Sequence, residues 1–415
     1  MTQGHFTNAE RAVIEDFDHM SPEFAQDPHG SFRKLRDGCP VSYSEKHGGH
    51  WLLTRYEDVA AALKNDDAFS SARPPGTDGV AVHIPSMPAP VQVPIEMDPP
   101  DSLKYRRALH PFLSPAAINA RKPRIQQHVE SCVDAFIERG EGDLIMDLAS
   151  QAPAFVITEM IGLPLEYAPR FSVLMHAITS HTPHSPPWDE AVADIPWMIG
   201  VIKDAIATPT DDQDQSLLAS LKVTVVDEEP ISPQLIESMV MLLIGGGVDT
   251  TTSLTGQAFM WMYQNPEKRE WLRNNLDKLR WISEEFLRHS SPVTTQARTC
   301  VREITVGEQT LRPGERVLLC LAAANHDPSQ FPNPSEVSFD REINRHLAFG
   351  VGTHRCIGSN LARATFEAMV VDVLTRLPDY RVDEEQAALY PTQGLVNGYV
   401  RLPVTFTPGR RSDAH

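Results

Sequence analysis

The chain has 415 residues, of which 41% are hydrophobic and 22% charged, an ordinary globular composition with ample material for a large core. A net charge of −18 argues against nucleic acid as a partner, since phosphate binding needs a basic surface. Five widely spaced cysteines, Cys39, Cys132, Cys300, Cys320 and Cys356, with no C-x-x-C pair, argue against disulfides and zinc. Met1 to Asp16 shows no basic region followed by an apolar run, so neither a signal peptide nor a membrane anchor is expected and the chain reads as cytoplasmic. The length allows two or three domains, yet no linker, charge block or repeat divides it.

Residues 21–37 read as a helix leading to two paired strands, Val41-Ser42-Tyr43 and Trp51-Leu52-Leu53-Thr54, and Arg55 to Asn65 as another helix. From Pro74 to Pro100 proline is so frequent that a long irregular loop is expected, with Val82, Ile84, Met87, Val91 and Val93 as its apolar members. A proline-opened helix follows, and between Ser102 and Val129 no residue is acidic while Lys104, Arg106, Arg107, Arg121, Lys122 and Arg124 are basic. Such a run is either a solvated face or a docking surface for an acidic partner, whose association it would speed. Helices are expected from Ala116 to Ile178, then a loop and mobile lid from Thr179 to Trp188; its His181 and His184 lack a third ligand at fixed spacing and are not read as a metal site.

Ser232 to Asn265 is the longest helical pattern, about 50 Å at roughly 1.5 Å per residue. It contains Gly245-Gly246-Gly247, each costing on the order of 1 kcal/mol relative to alanine. A helix this long needs a reason to tolerate them, and the plain reading of the next residues is a solvated Asp249 and a Thr250 bonded back to a carbonyl. Met239, Leu242 and Leu243 on the preceding turns read as pocket or core. Glu285 and Arg288 form an i,i+3 pair on a later helix. Two β-rich runs, Thr299 to Val306 and Arg316 to Ala322, are separated by Gly307 and Pro313-Gly314. Finally Cys356 stands among Gly350, Gly352 and Gly358, ahead of Ile357, Leu361, Phe366, Met369 and Val373 at helical spacing. A thiol there is a candidate thiolate, because a helix N-terminus favours negative charge. The plainer alternative is a structural cysteine in a tight turn.

The pattern Phe349-Gly350-x-Gly352-x-x-x-Cys356-x-Gly358 resembles the haem-binding signature of the cytochrome P450 family, and Gly246-Gly247-x-Asp249-Thr250 resembles its oxygen-activation motif. The resemblance runs from about Asp98 to Val404. It implies a mainly α fold with a smaller β region, one domain over 1–415, with a β-rich part at about 38–72 and a helical core at about 98–378. Haem b would lie between the long central helix and the cysteine turn, with Cys356 as the thiolate ligand to iron. Arg106, Arg298 and His354 would meet the propionates, and Gly246, Phe349, Gly350 and Gly358 would touch the macrocycle. The small residues of the long helix would leave room beside it, a local bulge in its hydrogen-bond ladder would free groups to hold water, and Asp249 and Thr250 would relay protons. Val82, Ile84, Val91, Leu242, Val293, Thr294, Leu395 and Val396 are the substrate-pocket candidates. Glu285, Arg288 and Arg341 would lock the scaffold. Three positions depart from the pattern: Ser102 stands where relatives often carry a second propionate-binding histidine, Val337-Ser338 replaces the usual Phe-Asp, and Thr365 replaces a frequent glutamate.

The activity so implied is a monooxygenase placing one atom of O₂ into an apolar small molecule by hydroxylation, epoxidation or O-dealkylation. Electrons would come from NAD(P)H through a ferredoxin reductase and a [2Fe-2S] or similar ferredoxin on the basic face, with the enzyme a monomer and no membrane involved. The alternatives are a peroxygenase using H₂O₂, which typically lacks the acid–alcohol pair, a non-catalytic haem-thiolate sensor, and a cysteine-nucleophile hydrolase, which needs a base beside Cys356.

Overall fold

Serine or aspartate caps and first-turn prolines set the start of several helices in the computed structural model, which describes residues 17–211 and 213–412. The expectation for Met1 to Asp16 lies outside the described residues. The chain begins with α1 (Pro22–Gln26), α2 (Pro28–Gly38), the hairpin β1 (Val41–Ser44) and β2 (His50–Leu53), α3 (Tyr56–Ala62) and β3 (Phe69–Ser70). Beyond the proline-rich loop come α4 (Asp101–Leu113), α5 (Pro115–Asp134), β4 (Glu141–Asp143), α6 (Gln151–Ile161), α7 (Ala168–Ser180), α8 (Pro186–Ala207) and α9 (Leu217–Val223). The hairpin β5 (Val225–Val226) and β6 (Glu229–Pro230) leads into α10 (Pro233–Gln264), α11 (Pro266–Arg273) and α12 (Leu279–Ser290). Then follow β7 (Gln296–Cys300), β8 (Ile304–Val306), β9 (Gln309–Leu311), β10 (Arg316–Leu319), α13 (Leu321–Asn325) and α14 (Ser359–Arg376). Ser21, Asp27, Ser114 and Ser232 cap α1, α2, α5 and α10 through their side chains, each with proline in the first turn.

Five strands form one sheet in the order β1-β2-β10-β7-β3, with β10 parallel to β2 and antiparallel to β7. This register sets Arg298 of β7 opposite Val317. The helical part has two large apolar clusters, and α10 belongs to both. Ile236, Met239, Val240, Ile244 and Val248 pack with α5 to α9, whereas Leu254, Ala258, Phe259 and Met262 pack with α12 and α14. A helix apolar all round must be buried all round. At Gly247 a Cβ would run into Ile157 of α6, so glycine there permits the close crossing of the two helices.

One expectation changes. The helices α7 and α8 extend inward until only residues 181–185 separate them, so the region expected as a lid from Thr179 to Trp188 is a short connection. Among the described residues one segment, Leu144–Ile161, is long and apolar enough to cross a membrane, but 72% of it is buried inside the protein and it packs against α10.

Candidate active site

The cysteine turn is shaped by contacts that glycine alone accommodates. Gly352 has φ 83°, and a Cβ there would lie 2.5 Å from the carbonyl oxygen of Leu63. The amide of Cys356 donates to the Phe349 carbonyl at 2.8 Å, and the amide of Leu347 donates to Asn325 Oδ1 at 2.6 Å, which closes the turn just before α14. The Cys356 thiol faces open space although protein surrounds it at depth. That surrounding mass pushes its pKa up, opposed by the Gly358 amide and by the cations of Arg106, Arg355 and Arg363.

Across from the turn, Leu361 and Ala364 of α14 share an apolar cluster with Ile244 and Val248 of α10. Leu242, Gly246 and Thr250 recur every four residues and so share one face of α10. Gly246 is exposed, and a Cβ on it would meet nothing within 4 Å. The ladder of α10 runs unbroken through this stretch, and the Thr250 hydroxyl donates to the Gly246 carbonyl at 2.9 Å. The expected bulge is therefore absent: the hydroxyl satisfies itself on the preceding turn. Asp249, by contrast, is not solvated. It is buried, accepting from the Tyr390 hydroxyl at 2.7 Å, with His176 Nδ1 2.7 Å from its other oxygen.

His176 Nε2 lies 2.9 Å from the Val400 carbonyl, which can only accept, so that nitrogen bears a proton. One further proton is then shared between His176 Nδ1 and Asp249 Oδ1. Burial pushes the His176 pKa down, but the Asp249 charge and hydrogen bond together with the Val400 carbonyl outweigh it, leaving the pKa above the usual imidazole value. Burial and Asp249 push the Tyr390 phenol well up. A cavity of about 470 Å³ adjoins His176 and is lined also by His181, Glu190 and Asp194. Neither His176 nor Tyr390 is marked by local pattern; they lie 73 and 141 residues from Asp249 in the chain.

Three candidates for the propionates collect beside the turn. Arg106 donates from Nη2 to the Arg355 carbonyl at 2.6 Å, tying α4 to the cysteine loop. His354 Nε2 lies 3.0 Å from Ser71 Oγ, and burial followed by the charges of Arg298 and Arg106 lowers its pKa to about 4. Arg298 is 4% exposed, and its guanidinium makes one hydrogen bond among the described residues, to the Ala297 carbonyl at 2.7 Å. Burial lowers its pKa to about 10, against the more remote pull of Asp66 and Asp98. A buried guanidinium so poorly compensated fits an anionic guest. Ser102, where a histidine was the commoner expectation, is buried with its hydroxyl unpartnered. A free thiol, an open face at Gly246 and an under-satisfied cation together suit a haem with its carboxylates.

The scaffold pair is more elaborate than its i,i+3 spacing suggests. Arg288 grips Glu285 with two bonds of 2.8 Å, and Arg341 Nε joins Glu285 at 2.9 Å. The departure at Ser338 costs nothing, since its backbone amide also donates to Glu285, at 2.9 Å. Glu284 pairs with Arg363 at 2.5 and 2.8 Å and His346 at 3.1 Å; burial opposes its charge, yet Arg363 and His346 hold its pKa at about 2. Arg363 in turn covers the Phe349 ring at 4.5 Å.

Four pocket candidates are brought together: Val293 bridges Val396, and the Thr294 amide donates to the Leu395 carbonyl at 2.9 Å. Asn397 fastens this turn to α10 by accepting from Ser253 and Gln257. Val82 is buried with its carbonyl accepting from the Ala297 amide, while Leu242 is half-buried. The other two differ from expectation. Ile84 packs with Phe24, Phe32 and Leu52 in the N-terminal cluster, and Val91 is 42% exposed with its carbonyl tied to Ser238. In a proline-rich loop no periodicity tells an inward residue from an outward one.

A profile described as "Cytochrome P450" matches residues 201–386. Vitamin D(3) 25-hydroxylase of Pseudonocardia autotrophica is 30% identical over 401 residues, covering 95% of this chain and 97% of that protein. Steroid C26-monooxygenase of Mycolicibacterium smegmatis is 31% identical, with 91% and 92% covered. Among solved structures, P450BioI in complex with hexadec-9Z-enoic acid ligated acyl carrier protein superposes with a TM-score of 0.82 at 26% identity, covering 92% of this chain and 100% of that one. End-to-end relatedness at this level, joined to a glycine-built turn that presents one open thiol, makes the chain a member of the cytochrome P450 family and a haem-dependent monooxygenase.

Proposed function

We propose that this P450 inserts one atom of O₂ into an apolar small molecule, drawing electrons from NAD(P)H through a ferredoxin reductase and a ferredoxin. When bound, haem b with a thiolate ligand supplies O₂ binding and O–O cleavage. Cys356 would be that ligand, and Arg298, Arg106 and His354 would hold the propionates. The observation that carries the reading is the buried contact of Asp249 with His176 at 2.7 Å, in the residue next to Thr250. Asp249 would pass a proton toward the open face of α10 after turning from His176 and once Thr250 lets go of the Gly246 carbonyl, and His176 would refill it from the cavity behind. The Tyr390 hydroxyl, donating to the second carboxylate oxygen, would return the acid to His176 after each transfer.

Val293, Thr294, Leu395, Val396, Val82 and Leu242 would line the substrate space, and its apolar character favours a bulky hydrocarbon skeleton. The vitamin D(3) hydroxylase and the steroid monooxygenase among its relatives support the same class. Arg107 and Lys122 are exposed on α4 and α5, whereas Lys104 is paired with Asp101 and Asp227 and Arg124 with Glu159. The acidic-partner docking face would thus centre on Arg107 and Lys122, near the cysteine turn that Arg106 anchors. A monomeric, single-domain, cytoplasmic enzyme is part of the same reading. The test is a ferrous–CO spectrum followed by NADH-driven turnover with surrogate ferredoxin partners. A thiolate-type band with product formed in step with NADH use is expected; an imidazole-type band, or turnover only with H₂O₂, would overturn it.

A further inference from the structure

A second cluster of chemistry-bearing side chains lies outside the active site, where the N-terminal segment meets the β1–β2 hairpin. Asp18, His19 and His47 place ligand atoms within 4.8 Å of one another. The ring of His50 joins them, with centroids 5.4 Å from His19 and 6.4 Å from His47, while His19 and His47 are 5.4 Å apart. Three imidazoles on one tetrahedral ion, with metal–nitrogen distances of about 2.0–2.1 Å, would have centroids roughly 5 Å apart.

The hydrogen bonds decide which nitrogens are available. His19 Nε2 lies 2.7 Å from the Ile84 carbonyl and must donate to it, which leaves Nδ1 as a bare lone pair. His50 Nδ1 lies 3.2 Å from the Lys46 carbonyl, which leaves Nε2 bare. Both residues are at most 1% exposed, and these two nitrogens have no partner. A lone pair buried without a donor is costly, whereas a ring oriented by a carbonyl on its far nitrogen is the usual arrangement of a metal-bound histidine. His47 Nε2 and Asp18 Oδ1 are 2.7 Å apart, sharing a proton that an ion would displace. His47 reaches the cluster from a left-handed conformation, φ 53°, an infrequent state for a histidine.

We propose that Asp18, His19, His47 and His50 form a binding site for one divalent transition ion of the zinc type. Imidazole and carboxylate suit zinc, and the ion would join the segment around Asp18 to the β1–β2 hairpin and, through the Ile84 carbonyl, to the proline-rich loop. Cysteine spacing gives no sign of such a site, because none of its ligands is a cysteine.

The experiment loads the haem-containing enzyme with Zn²⁺, removes excess by gel filtration and measures zinc per haem by elemental analysis, with affinity from competition against a chromophoric chelator. One zinc per chain is expected, with a higher Tm in Zn²⁺ than in EDTA. His47→Gln, whose side chain is partly exposed, and His50→Gln should each weaken zinc binding by at least about 10-fold, while the ferrous–CO spectrum stays that of the parent. Zinc held equally well by both variants, or a parent enzyme that elutes without zinc, would overturn the proposal.

Discussion

Arg288 and Arg298 are both buried, one in the scaffold beside the cysteine turn and one in the sheet that faces the site, and their surroundings are opposite. Arg288 places all five of its N–H groups: three bonds to the carbonyls of Asn325, Pro334 and Glu336 and two to Glu285. Arg298 places one, on a neighbouring carbonyl. Burying a guanidinium costs several kcal/mol unless it is paired, so a protein that completes one so fully has a reason to leave the other incomplete. On the proposed function, the difference separates a group that holds the fold from one that would hold a haem carboxylate.

The largest break in this pattern is Cys356→Ala, which should abolish NADH-driven product formation and the thiolate-type ferrous–CO band while leaving the helical circular dichroism in place. Next, Arg288→Ala leaves Glu285 buried without its main partner and should cost about 3–5 kcal/mol, read as a lowered denaturation midpoint with or without haem. Arg298→Met should do the reverse in the haem-free protein, leaving stability unchanged or higher. It should also speed haem transfer to apomyoglobin by about 10- to 100-fold, the worth of a charge-assisted hydrogen bond of about 1.5–3 kcal/mol. An equal loss of haem-free stability in both arginine variants would dissolve the contrast.

On the opposite wall, Asp249→Asn should lower kcat on the order of 10²-fold with haem content unchanged. Thr250→Ala should keep haem and substrate binding but send electrons to peroxide. His176→Gln should reduce kcat less than Asp249→Asn and alter its pH profile; identical profiles would remove His176 from the relay. The smallest effect concerns Glu284, whose pKa of about 2 in the folded protein lies below its ordinary 4.5. Because the folded value is depressed, its contribution is complete above about pH 4.5 and is lost as pH falls toward about 2. Glu284→Gln should flatten stability over that window in acid titrations.

What could be read before the fold was known follows how local each feature is. The cysteine turn and α10 announce themselves because glycines, cap and apolar spacing sit within one stretch; Ser232 and Pro233 mark the start of α10 within a residue of where the pattern begins. The Glu285–Arg288–Arg341 lock needed the resemblance, since its third member lies 56 residues from the first. His176 and Tyr390 were invisible because only the packing of α7 and the C-terminal loop against α10 brings them to Asp249. The bulge in α10 failed as an expectation for a different reason. Glycines permit a broken ladder but do not compel one, and Thr250 found a carbonyl one turn back.

Helix α10 lends its first half to one apolar cluster and its second half to the other, and Gly245 to Thr250 fall at the joint. Neither cluster can close without the same rod, so the pocket wall is also the axle of the molecule. Loosening it to admit a larger guest would slacken both halves together, and remodelling of the pocket should therefore be better tolerated at the Leu395–Val396 turn than along the helix.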